Sequence, residues 1–130
     1  MPPLIADHVI SAVMVHVADV AAGLAWYERA FDGARRVKIA SPAFEYLAVG
    51  TVRIEIVPSD SKVTSGPSGS VVYWGVPDFQ LALGHFLNLG AILYRGPMQI
   101  EDGLSMCQVQ DPWGNCIGLR GPNIGEAVVG

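Results

Sequence analysis

Residues 8–17 (HVISAVMVHV) are rich in β-branched side chains, and strand alternation puts Ala12, Met14 and His16 on one face and Val13, Val15 and Val17 on the other. Asp19 then predicts an N-cap for an amphipathic helix reaching about Phe31, because Val20, Leu24, Tyr27 and Phe31 recur at helical spacing. Asp32-Gly33 ends that helix. Three strands are expected next, near residues 36–40, 44–49 and 51–58, with Ser41-Pro42 and Gly50 marking the turns between them.

Residues 59–70 (SDSKVTSGPSGS) form the one stretch dominated by Ser, Gly and Pro and read as a linker. Beyond it the order of elements repeats. Residues 71–76 read as a strand, Asp78 caps a helix carrying Phe79, Leu83, Phe86 and Leu87, and Gly90 stops it. Strand-like runs follow at residues 92–95, 104–110 and 115–120. Val17-Ala18-Asp19 opens the first helix as Val76-Pro77-Asp78 opens the second, and Ile54-Glu55-Ile56 closes the first half as Ile117-Gly118-Leu119 closes the second. The spacing points to an internal duplication of two strand-helix-three-strand modules, about residues 8–58 and 71–120, within a single 1–130 domain ending in a tail at 121–130.

Composition narrows the functional classes. With 51% hydrophobic and 15% charged residues, the chain has enough apolar surface to fold without help. Eight Lys plus Arg and a net charge of −4 give no phosphate-binding stripe, so nucleic acid is not an expected partner. The longest apolar runs fall short of the ~18–20 residues that span a bilayer, and no secretory pattern opens the chain. A cytoplasmic location without a membrane partner is therefore expected, with Cys107 and Cys116 as buried free thiols. Nucleotide-binding loops, paired Cys-x-x-Cys motifs and nucleophile elbows do not occur in the sequence.

Three motifs carry a resemblance that spans nearly the whole chain. These are V-x-D-V-x-x-x-L-x-W-Y at residues 17–27, V-G-x-V-x-I-E-I at residues 49–56, and Gly96-Pro97 followed by D-P-W-G-N at residues 111–115. Together they resemble the vicinal oxygen chelate superfamily of glyoxalases, bleomycin-resistance proteins, fosfomycin-resistance enzymes and extradiol dioxygenases. That resemblance implies an α+β fold in which two β-α-β-β-β modules form curved mixed sheets around a central cleft, helices outside, often in a homodimer. It also implies four metal-ligand positions, which map to Ala12, Glu55, Val71 and Gly118. Only Glu55 has a donor, and a divalent cation held against water needs three or more. No cofactor is expected, a divalent metal included.

Candidate site residues follow from parity and from the resemblance. Glu55 is the candidate general base, or else the partner of Arg53 two residues away on the same side of the strand. His16 shares the Met14 face and is a second candidate acid or base. Tyr73 projects into the cleft on the parity of Val71, with Met106 and Gln108 on the opposite wall and Trp113 in the turn before the last strand. Met14, Arg53, Tyr73, Met106, Gln108 and Trp113 are thus the expected ligand contacts. The leading expectation is a metal-independent small-molecule-binding protein similar to the bleomycin-resistance branch. The alternatives are a lyase or isomerase using Glu55 as base, a metal enzyme with ligands elsewhere, and a catalytically silent dimeric module.

Overall fold

The computed structural model describes residues 10–40, 43–61, 64–67 and 71–124. The chain divides into two compact units, residues 1–64 and 65–130, and the division falls within the Ser-, Gly- and Pro-rich stretch. Each unit holds one helix and one four-stranded mixed sheet, which makes the fold α+β.

In the first unit β1 (Ala12–Val17) leads into α1 (Val20–Ala30), followed by β2 (Arg35–Ala40), β3 (Ala43–Val49) and β4 (Val52–Pro58). The sheet order is β1-β4-β3-β2, with β1 parallel to β4 and the other pairs antiparallel. Asp19 caps α1 by accepting from the Ala22 amide at 3.1 Å. The apolar stripe of the helix, Leu24, Trp26, Tyr27 and Ala30, is buried, as are Val17, Leu47, Ile54 and Ile56 of the sheet. Each large side chain so buried contributes about 1.5–3 kcal/mol. Gly23 sets the approach of helix to sheet, since a Cβ there would lie 2.7 Å from Ile56 Cγ2. Trp26 and Tyr27 are therefore packing residues, and Arg36 Nε pins β2 to the helix through Glu28 at 2.9 Å.

The second unit repeats the plan with β5 (Tyr73–Gly75), α2 (Phe79–Asn88), β6 (Ile92–Gln99), β7 (Leu104–Gln110) and β8 (Cys116–Pro122). Its order is β5-β8-β7-β6, again with the first and last strands parallel. Asp78 caps α2, accepting from the Leu81 amide, and Gly90 at φ +92° lets the chain leave the helix. α2 covers the face of β7 and β8 that carries Cys107, Val109, Ile117 and Leu119, all buried.

Boundaries differ from the sequence expectation at several ends: β1 begins at Ala12, β8 runs on to Pro122, and β5 and β6 differ most. β5 is shorter than residues 71–76, because its pairing with β8 runs only from Tyr73 to Gly75. β6 extends past the expected end at Arg95 to Gln99, through two register shifts around the cis Gly96-Pro97 bond. A single 3-10 turn at Glu101–Gly103, with Asp102 at φ 62°, joins β6 to β7. His8, the Ser41-Pro42 turn, residues 62, 63 and 68–70, and the tail from 125 onward lie outside the described residues.

Both cysteines are free. Cys107 faces α2 opposite Leu119, whereas Cys116 lies opposite Gln110 on the other side of the sheet, so the two thiols point away from each other. Burial pushes the Cys107 thiol from 9.0 up to about 11. Cys116 is raised first by burial and then by the Asp111 carboxylate. The folded state thus favours the neutral thiol at 107. Stability from that preference is complete below pH 9 and is lost as pH climbs toward 11. At pH 8 a thiol reagent is expected to modify the native chain far more slowly than the urea-unfolded chain, in which both cysteines react. Equal rates in the two states would contradict the placement of Cys107.

Candidate ligand site

Strand registers place the candidate residues on the sheet faces turned away from the helices. In the first unit Ala12 lies opposite Arg53, Met14 opposite Glu55 and His16 opposite Val57 on the β1–β4 ladder. Directly paired residues project to the same side, so Met14, His16, Arg53 and Glu55 share one face. Ala48 pairs with Arg53 across β3, which by alternation brings Phe44 and Tyr46 to that face as well.

Arg53 organises this surface. Its guanidinium carbon sits 3.8 Å above the Tyr46 ring and 5.8 Å from the Phe44 ring, and Nε lies 3.2 Å from Glu55 Oε2. The distance makes an ion pair, but the N–H is not aimed at the carboxylate, and Nε is buried with no hydrogen-bond partner among the described residues. Glu55 is thereby held beside a fixed cation. Of the two readings of Glu55, the structure contains the ion pair with Arg53.

Glu55 also borders a hollow. The β3–β4 pairing stops at Leu47–Ile54, and from there the two strands part. An open hollow of about 580 Å³ lies between them, lined by Val20 and Leu24 of α1, by Lys38, Phe44 and Glu45, and by residues 55–58 of β4. Its wall is mostly apolar, with three charged side chains. The alternating pattern of the sequence gave no sign of it, because the loss of a few ladder hydrogen bonds leaves no mark on periodicity.

In the second unit Tyr73 pairs with Gly118, Gln108 with Gly118 and Met106 with Arg120, so Tyr73, Met106 and Gln108 also share the face away from their helix. Gln108 Nε2 donates to Tyr73 Oη at 2.8 Å, and the Arg120 guanidinium lies 5.0 Å from the Tyr73 ring centroid. Gly118 makes the arrangement possible. A Cβ at 118 would stand 2.5 Å from Tyr73 Cδ1, so the ring lies flat on the backbone where a larger residue would project. Trp113 is the remaining candidate. It is half-buried in the turn between β7 and β8, where its amide donates to Asp111 Oδ1 at 2.8 Å.

Sequence reasoning missed four contributors: Phe44, Tyr46, Arg95 and Arg120. The last was within reach, since Arg120 lies two residues beyond Gly118 on the same parity. The others needed a strand register.

The mapped metal positions do not form a donor set suited to a cation. Ala12 and Gly118 present no donor, Val71 lies just ahead of β5, and Glu55 is engaged by Arg53. Among the described residues no three His, Cys, Asp or Glu side chains come together as a metal site.

No protein-family model matches the chain, and no curated protein matches it in sequence. Solved structures do match its fold. An integron cassette protein from the mobile metagenome of V. Cholerae aligns over 91% of this chain and 98% of its own, at TM-score 0.70 and 19% identity. Fosfomycin resistance protein FosX from Mesorhizobium loti aligns over 96% and 100%, at 0.68 and 16%. A glyoxalase/bleomycin resistance protein/dioxygenase family enzyme from Burkholderia phytofirmans PsJN aligns over 85% and 96%, at 0.67 and 20%. The chain therefore has the fold of the glyoxalase/bleomycin resistance/dioxygenase superfamily, the vicinal oxygen chelate fold expected from its motifs.

Proposed function

We propose that the protein binds a small organic molecule without a metal at the superfamily's usual positions, in the manner of the bleomycin-resistance branch. The observation that carries this reading is the hollow bordered by Glu55. Its volume of about 580 Å³ falls in the range of ~300–1,000 Å³ typical of small-molecule sites, and its wall combines apolar surface with a few charged groups. On the adjoining face the Arg53 guanidinium, braced by Tyr46 and Glu55, orients the ligand. The second unit carries a polar set of its own on its helix-free face, Tyr73 and Gln108 beside Met106. Catalytic roles for Glu55 and His16 belong to the rival reading, a lyase or isomerase in which Glu55 takes a proton from the ligand.

Thermal-shift screening of a broad compound set, with a chelator present throughout, tests the proposal. A ligand at a hundred times its Kd stabilises the fold by about 2.7 kcal/mol and raises Tm accordingly. For such a ligand Glu55→Ala is expected to weaken binding by no more than about tenfold, roughly one polar contact. If Glu55→Gln instead abolishes turnover of the compound while its binding persists, the enzyme reading replaces this one.

We also infer a homodimer in the cytoplasm. β6 is an edge strand exposed along its length, with Ile92, Leu93, Tyr94 and Met98 all in solvent, and a second copy is the partner proposed for it. A monomer mass by light scattering would refute that assignment. Among the described residues no helix is long and apolar enough to cross a membrane.

A further inference from the structure

We propose that the helix-free face of the second sheet is a receptor for the anionic group, carboxylate or phosphonate, of a small organic ligand. The inference rests on the ligand-binding reading above and gives that ligand a charge class.

The sequence of the sheet is one-sided in charge. β5, β6, β7 and β8 together contain Arg95 and Arg120 and not one Asp or Glu. The ladders put both arginines on the same side. Arg95 lies opposite Gln108, Gln108 opposite Gly118, and Gly118 opposite Tyr73, while Arg120 lies two residues along β8 from Gly118. The other side of the sheet is the apolar surface under α2. Two guanidiniums, a phenol and an amide therefore share one solvent-reachable face, and neither arginine has an ion-pair partner among the described residues.

The hydrogen-bond directions sharpen the point. Gln108 Nε2 donates to Tyr73 Oη at 2.8 Å, so the phenol oxygen is already an acceptor and its own hydrogen is left to donate elsewhere. Arg120 is steadied beside the Tyr73 ring, its guanidinium carbon 5.0 Å from the ring centroid. Tyr73 itself is held flat by the absence of a side chain at Gly118. The result is a set of donors on one face, with no carboxylate on the four strands, the complement of an anionic oxygen group. Met98 and Met106, paired across β6 and β7, offer adaptable apolar contact for the remainder of the molecule.

The test uses the full chain and three probes with the same aromatic body: phenylphosphonate, benzoate and the uncharged benzyl alcohol. NMR titration reads the arginine Nε–H resonances and the backbone amides of β5 to β8, with Arg36 of the first unit, bound to Glu28, as internal control. The expected result is that at least one anion shifts Arg120 and Arg95 and binds at least about tenfold more tightly than benzyl alcohol. R120Q, at an exposed position and with its fold checked by circular dichroism, should lose about tenfold toward the anion and little toward the alcohol. R120K should recover part of the loss. The stronger of the two anions identifies the ligand's charged group. If benzyl alcohol binds as well as the anions and R120Q changes nothing, the anion assignment is wrong while the ligand-binding reading stands. If no probe moves this sheet at millimolar concentration, the anion assignment also falls. A compound found by the broad screen to stabilise the chain would then keep the ligand-binding reading alive, and failure of that screen would end both.

Discussion

Gly121→Ala is expected to destabilise the second unit by about 3 kcal/mol, on the order of 10 °C in Tm for a chain of this size. Gly121 lies in β8 just beyond the residues paired with β5, and the Val76 amide donates to the Arg120 carbonyl at 2.9 Å beside it. A Cβ at 121 would fall 2.1 Å from the Val76 carbonyl oxygen and 3.0 Å from its carbonyl carbon. Those are backbone atoms, so no rotamer change relieves the clash, and β5 must move off β8 and give up hydrogen bonds that cannot be remade. The control is Gly75→Ala on the neighbouring strand, where an added Cβ meets nothing within 4 Å. That change should be neutral or stabilising by about 0.5 kcal/mol, through the unfolded state. Hydrogen exchange reads the difference by strand. Amides of β5 and β8 should open faster in the Gly121 variant while β1 and β4 are unaffected, and two variants of equal stability would contradict the packing described for β5 against β8.

Asp111→Ala is expected to cost a similar amount, about 3 kcal/mol, because a buried carboxylate here serves several donors at once. Asp111 Oδ1 accepts from the amides of Trp113 and Asn115 at 2.8 Å each, and Oδ2 accepts from Asn115 Nδ2 at 3.0 Å. Asn115 Oδ1 in turn accepts from the Gly66 amide at 2.9 Å, so one side chain indirectly fixes the incoming chain to the β7–β8 turn. Truncation strands two backbone donors in a partly buried turn. Asp111→Asn keeps one oxygen that can serve both amides, but its amide group faces that of Asn115, so recovery of about half the loss is expected. Urea titration of the three proteins checks the order wild type, Asn, Ala. An Ala variant as stable as wild type would show that the turn forms without its carboxylate.

These two sites show where the fold was legible. D-P-W-G-N could be read as a tight turn because Asp and Gly act locally: the carboxylate bonds amides two and four residues on, and Gly114 takes φ +87°. The same holds for Asp19 and Asp78, whose caps bond amides three residues ahead. The period-3.6 pattern likewise marked the buried stripe of α1, and alternation paired Arg53 with Glu55 and Met106 with Gln108 on one side of their strands. Register is a different matter. That Tyr73 rests on Gly118, that Arg53 stacks on Tyr46, and that β3 leaves β4 after Leu47 depend on pairs far apart in sequence, and no local propensity encodes them. β6 was misjudged in length for a related reason. Gly96-Pro97 looks like a stop, yet Met98 pairs with Met106 beyond it once two register shifts absorb the irregularity. Glu55 and Arg53 were placed on one face by alternation alone, whereas the hollow beside them was not foreseen.

Metal-free binding depends on the residues at the four mapped positions: Glu55, engaged by Arg53, and Ala12 in the first unit, and Val71 and Gly118 in the second, which bring no donor. Elemental analysis of protein expressed in medium supplemented with manganese, iron, nickel and zinc, then dialysed without chelator, puts this to the test most directly. The account predicts only a small fraction of an equivalent of any of these metals per chain, with Tm unchanged when a chelator is added. One equivalent of a single metal per chain, released by chelator with loss of stability, would contradict it.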